Sequence, residues 1–74
     1  MQGQSIKSQV YEGIMKDILD GVYKANDIIN EKTLMEKYGV SKTPVREALV
    51  QLCSEGVLNN IPRFGYQLMA ILPN

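Results

Sequence analysis

Ser41-Lys42-Thr43-Pro44-Val45-Arg46-Glu47-Ala48-Leu49 carries both a helix start and the split between its two faces. Proline lacks an N–H, and in the first helical turn that loss costs nothing, because the donors there have no partner within the helix. Two starts are open. Ser41 is the cap and Pro44 falls third, or Thr43 is the cap and Pro44 takes the favoured first position. Val45, Ala48, Leu49 and Leu52 follow at core spacing and, at about 100° per residue, cluster within about a third of the circumference. The opposite face carries Thr43, Arg46, Glu47, Val50 and Ser54, with Lys42 at the exposed N-terminal end. Gly56 ends the helix.

Working outward, Asn30 is a good N-cap, and Glu31 suits the positive end of a helix dipole. Leu34, Met35 and Tyr38 supply a buried stripe, Gly39 stops this short helix, and Val40 is expected to be buried in the turn. Further upstream a longer helix is expected from Ser5 to Asp20. Its apolar face combines Ile6, Val10, Ile14 and Ile18 with Tyr11, Met15 and Leu19, and Gly21 follows at the usual left-handed position. Ile28-Ile29 reads as a brief strand packed under a sheet. Downstream of Gly56 the period changes to two. Val57–Ile61 and Tyr66–Leu72 read as strands joined by Pro62-Arg63-Phe64-Gly65, with Tyr66, Leu68, Ala70 and Leu72 on one face. Two short helices joined by Tyr38-Gly39-Val40-Ser41 form a helix-turn-helix. The hairpin makes the whole a winged helix over residues 5–72, mostly α with a small β-hairpin: three helices plus a two-stranded wing.

Size and composition fit that reading. Seventy-four residues make one small domain, burying about 60% of the surface that its unfolded chain exposes. A hydrophobic fraction of 45% and a charged fraction of 22% argue against disorder. The longest apolar run, Leu68–Leu72, is far short of the roughly 20 residues of a membrane helix, and no signal-peptide core precedes Ile6. A single cysteine, Cys53, makes no internal disulfide and points to a cytoplasmic setting; it is expected to be a small, mostly buried hydrophobe. With no histidine, zinc sites, Ser-His-Asp triads and Cys-His pairs are excluded within the chain, so no enzyme activity, metal or cofactor is expected. The net charge is zero, but its distribution is uneven. No acid falls between Lys37 and Arg46, a stretch that also holds Lys42, and Arg63 is the one charged side chain after Gly56.

An outward helix face of this kind is what a helix-turn-helix lays into a major groove. Arg46 has the planar fork that matches guanine O6 and N7, and Lys42 lies four residues earlier. Thr43 offers a hydroxyl to phosphate and a methyl to thymine. Val50 is either a thymine-methyl contact or tolerated surface. Glu47 is expected to orient a basic neighbour, since a carboxylate facing phosphates is repelled. At the wing tip, Arg63 is placed to enter a minor groove, while Phe64 is expected to fold back on the hairpin. A competing reading is a winged helix used for protein–protein contact, which requires Val50 and Phe64 to join one exposed apolar patch. Double-stranded RNA is disfavoured, because its deep, narrow groove does not admit a reading helix.

The run Ser41–Leu49 resembles the recognition-helix motif of the GntR family of bacterial transcription regulators. Asp20-Gly21, Asn30-Glu31-Lys32-Thr33-Leu34, Glu55-Gly56-Val57-Leu58, and Pro62 with Gly65 fit the same pattern. The motif looks most like the fatty-acid-responsive branch. The resemblance implies a sequence-specific DNA-binding domain of a metabolite-responsive repressor that binds a palindromic operator as a homodimer. It implies DNA contacts at Lys32, Lys42, Thr43 and Arg46, and a wing glycine, Gly65, where the backbone approaches DNA. Lys37, at the edge of the acid-free stretch, is expected to be a further phosphate anchor. The resemblance also implies a second domain, absent from this chain, that binds a small effector and makes the dimer. Two departures stand out. Lys replaces the usual Arg at 32 and 42, giving point charges in place of forks, and the wing has Phe64 immediately before the glycine, where Arg is more common.

Overall fold

In the computed structural model, which describes residues 5–69, the elements run α1 (Ile6–Leu19), β1 (Ile28–Ile29), α2 (Glu31–Tyr38), α3 (Lys42–Ser54), β2 (Leu58–Ile61) and β3 (Gly65–Leu68). This is a winged helix. Local chemistry accounts for each helix boundary. Ser5 Oγ accepts the Ser8 N–H at 3.1 Å and caps α1. At the other end, Val22 donates to Asp17 and Gly21 to Ile18, with Gly21 at φ 82, the paired closing bonds of a Schellman end. Asn30 Oδ1 accepts the Thr33 N–H at 2.8 Å and caps α2. Gly39, at φ 64, turns the chain out of α2 with its N–H on the Met35 carbonyl. Of the two starts open for α3, Ser41 is the one adopted, so Pro44 sits third, inside the turn whose N–H groups have no partner in the helix.

The core is one cluster: Val10, Ile14 and Ile18 from α1, Ile29 from β1, Leu34 from α2, Val45, Ala48, Leu49 and Leu52 from α3, and Leu58, Tyr66 and Leu68 from the hairpin. Each fully buried aliphatic side chain here contributes about 1.5–3 kcal/mol. Val40 and Cys53 pack against the cluster half-buried. Burial pushes the Cys53 thiol pKa up, which keeps it protonated and inert. The α1 stripe is shorter than its sequence suggests. Ile6 is 46% and Leu19 77% exposed, because the helix overruns the core at both ends.

The sheet also differs from expectation. Ile28–Ile29 does not pack beneath the hairpin but joins its edge, giving three antiparallel strands in the order β1-β3-β2. Ile28 pairs with Gln67 and Ile29 with Tyr66, and Leu58 through Ile61 pair with Leu68 through Gly65. The preceding turn locks this edge. Asn26 donates to the Leu68 carbonyl at 2.7 Å, and Leu68 donates to Asp27 at 2.9 Å. The continuation of the last strand through Ala70 and Leu72 lies outside the described residues.

Candidate nucleic-acid interface

With Val45, Ala48, Leu49 and Leu52 fully buried, α3 is pinned by one face and presents Lys42, Thr43, Arg46, Glu47 and Val50 to solvent. The centre of that surface is Arg46. Its Nε donates to Glu31 Oε2 at 2.9 Å and its Nη2 to Oε1 at 3.1 Å, while the side chain stays 56% exposed. A guanidinium has five N–H donors in a fixed plane. Glu31 takes the side edge, Nε and one Nη2 proton. The end edge, Nη1 together with the other Nη2 proton, has no hydrogen-bond partner among the described residues, and this is the fork that matches guanine O6 and N7. The carboxylate therefore orients the fork without occupying it.

Glu31 is itself held. Tyr66 Oη donates to Oε2 at 3.3 Å, tying the root of the wing to the arginine through one carboxylate. The Arg46 hydrogen bonds hold the Glu31 carboxyl below its ordinary pKa against the opposing effect of burial, with smaller help from Tyr66 and the nearby Lys42 charge. The orienting role expected of Glu47 thus belongs to Glu31. Residues adjacent in a helix point about 100° apart and do not face one another; Glu47 has no ion pair among the described residues.

The other candidate residues divide. Lys32, Lys42 and Thr43 are exposed around the start of α2 and α3, beside Glu31 and Arg46. Lys37 stands apart. Its ammonium bonds Asp17 of α1 and lies 5.7 and 5.8 Å from the ring centroids of Tyr23 and Tyr38. Six residues beyond Glu31, it sits about 9 Å further along α2, joining α2 to α1. Val50 is 55% exposed and lines a shallow open groove with Lys7, Arg46, Glu47, Gln51 and Ser54. Phe64 has no part in that lining, and the neighbours of Val50 there are all polar or charged.

The wing departs most from expectation. Phe64 does not fold back: it is 70% exposed. Its N–H donates to the Ile61 carbonyl at 3.0 Å, closing a turn with Pro62 second and Arg63 third. Arg63 there has φ 76, the left-handed setting that a type II turn demands and usually fills with glycine. The inward side of the hairpin is already filled by Leu58, Tyr66 and Leu68. Gly65 has an intramolecular reason to be glycine. At φ 133, a Cβ would lie 2.8 Å from the Ile29 carbonyl oxygen and 3.1 Å from Ile28 Cγ2.

Glu31 and Tyr66 contact Arg46 directly or through one carboxylate, and neither is singled out by the sequence reading as a site residue; Lys7 lines the groove beside Arg46. Lys7 shows no pattern beyond lying in the first turn of α1. Glu31 is legible as a dipole partner and as part of the Asn30–Leu34 run, but not as a partner of Arg46, because nothing local links it to a residue fifteen positions away.

Comparison with known proteins agrees with this geometry. The family model described as bacterial regulatory proteins, gntR family, matches residues 6–67. The HTH-type transcriptional regulator YdhC of Bacillus subtilis is 35% identical over 63 residues, which is 85% of this chain and 28% of that protein. The HTH-type transcriptional repressor RspR of Escherichia coli K12 is 29% identical over 62 residues, 84% of this chain and 27% of that one. The chain thus spans just over a quarter of the length of these relatives. The DNA-binding domain of AraR, crystallised in complex with operator ORR3, superposes with a TM-score of 0.79 at 29% identity, covering 92% of each chain. On the match across its helices and wing, the chain belongs to the gntR family of bacterial regulatory proteins.

Proposed function

We propose that the chain is the sequence-specific DNA-binding domain of a bacterial transcription regulator, with α3 in the major groove. The observation that carries this is the Arg46 fork, fixed along one edge by Glu31 and open along the other. Lys42, Thr43 and Lys32 surround it as base or phosphate contacts, and Arg63 in the wing reaches the adjacent minor groove. Lys37 contributes to phosphate binding only if it leaves Asp17. The AraR complex with operator DNA supports the docking mode, and the repressor RspR supports repression as the outcome.

The finer expectations belong to the same reading. The motif Thr43–Leu49 favours the fatty-acid-responsive branch. A second domain would bind a small metabolite and hold two copies together in the cytoplasm, so that a two-fold dimer meets a palindromic operator. Titration of a duplex selected from random-sequence DNA tests the core of the proposal. Arg46→Ala is expected to weaken specific binding about 5- to 150-fold and relax choice at one base pair. With about four phosphate contacts, log affinity should fall against log salt with a slope near −4. Unchanged binding by the variant, or a flat salt response, would refute the reading.

A further inference from the structure

We infer that the wing is tipped by an apolar wedge: Phe64 enters the minor groove beside the major-groove segment read by α3 and opens a base step there. This rests on the DNA-binding reading above and adds a residue and a mode of contact to it. The ring is 70% exposed at the apex of a hairpin whose inner face is already filled, so folding does not explain its presence.

The apex is also built to hold the ring outward. Pro62 fixes one backbone dihedral, the Phe64 N–H is tied to Ile61, and Gly65 is clamped beneath the Ile29 carbonyl. Arg63 completes the turn at φ 76, a setting disfavoured for any residue with a Cβ. A turn whose backbone is fixed in this way loses little main-chain freedom on binding.

Position and chemistry agree. Tyr66, two residues on, reaches the carboxylate that holds Arg46. Two residues of extended chain span about 7 Å, so the tip lies within reach of the duplex that α3 addresses. The walls of a minor groove are deoxyribose, and apolar wedges of this kind part base steps, most easily at flexible pyrimidine–purine ones. Arg63, one residue earlier, supplies the cation that a narrow A·T-rich groove attracts. The two residues divide the work: charge draws the tip in, and the ring wedges.

The test is anisotropy titration of the chain against a duplex selected from random sequence, over a salt series, with circular dichroism confirming that each variant is folded. Phe64→Ala is expected to weaken binding about tenfold with the salt slope unchanged, since an apolar contact releases no counterions. Phe64→Leu, which keeps an apolar wedge, should stay within about threefold of the wild type. Arg63→Asn, which tolerates the left-handed turn, should flatten the slope by about one. With 2-aminopurine substituted for adenines flanking the α3 site, the wild type should raise fluorescence at one step and Phe64→Ala should not. Wild-type binding with Phe64→Ala equal to it, or Phe64→Leu falling as far as Phe64→Ala, overturns the wedge and leaves the DNA reading standing. A wild type that binds no duplex overturns both.

Discussion

Gly65→Ala should remove a large share of the domain's stability, although the residue sits in an exposed wing. Two costs add. A Cβ at φ 133 occupies a backbone region that is nearly glycine-only, worth about 1–3 kcal/mol. That Cβ would also lie 2.8 Å from the Ile29 carbonyl oxygen and 3.1 Å from Ile28 Cγ2, and forcing neighbours aside costs about 1–3 kcal/mol more. The first contact is with backbone that is itself paired in the sheet, so it cannot yield as a side-chain tip would. A loss near 3 kcal/mol is expected from a domain whose whole stability is about 4–11 kcal/mol, which lowers Tm by about 12–24 °C. The control is Gly39→Ala. Its φ is 64 with nothing within 4 Å of the added Cβ, so only the left-handed cost of about 1–2 kcal/mol applies. Urea and thermal melts followed by far-ultraviolet circular dichroism read both variants. If the two lose equal stability, the β1 clamp is not what requires glycine. If Gly65→Ala keeps its stability and loses DNA affinity, the glycine is reserved for the duplex after all.

Other outcomes follow from the same contacts. Glu31→Gln leaves one acceptor and replaces the other with a donor facing the guanidinium; the ratio of specific to random-sequence affinity should fall about three- to tenfold, and an unchanged or larger ratio in paired titrations would show that the carboxylate only repels DNA. Because pairing with Arg46 depresses the Glu31 pKa in the folded state, its contribution to stability is fully present above the ordinary glutamate value of about 4.3 and is lost as pH falls through the folded value; Glu31→Gln should flatten that acid limb in pH-dependent melts. Tyr38 Oη is buried beside the Asp17 carboxylate but makes no hydrogen bond of good geometry among the described residues, so Tyr38→Phe should leave stability unchanged or raise it by about 1 kcal/mol, and a clear drop in the urea midpoint would mean that the hydroxyl is paired.

The helices and hairpin were legible because their causes are local. Ser5, Asn30, Gly21 and Gly39 act within a turn of themselves, and the change of period after Gly56 lies in consecutive residues. The elements that were misread depend on distant chain. Ile28–Ile29 becomes an edge strand only by pairing with Gln67 and Tyr66, nearly forty residues on. Lys37 reads as an outward cation until Asp17, on another helix, is placed beneath it. Phe64 was misjudged because Pro62 announces a turn without announcing its type. The left-handed setting at Arg63, unusual for a residue other than glycine, is the feature that the proline alone does not signal.

A net charge of zero is unusual for a nucleic-acid binder, and it is reconciled with a DNA partner by where the acids lie. Asp17 is taken up by Lys37 and Asp20 by Lys16. Glu55 accepts from Tyr11. These carboxylates sit on α1 and at the far end of α3, away from the helix start. Two acids lie on the proposed interface: Glu31, with an assigned task, and Glu47, exposed on α3 with no ion pair among the described residues. At about 10 Å from a phosphate in water the Glu31 repulsion is about 0.4 kcal/mol, and less once salt screens it. A long, flexible arginine that must present one planar edge gains more from being held than it loses to so weak a field. Counting charges over the whole chain therefore misleads. The informative quantity is which donors remain unspent once the internal pairs are made, and at Arg46 these are the end-edge donors.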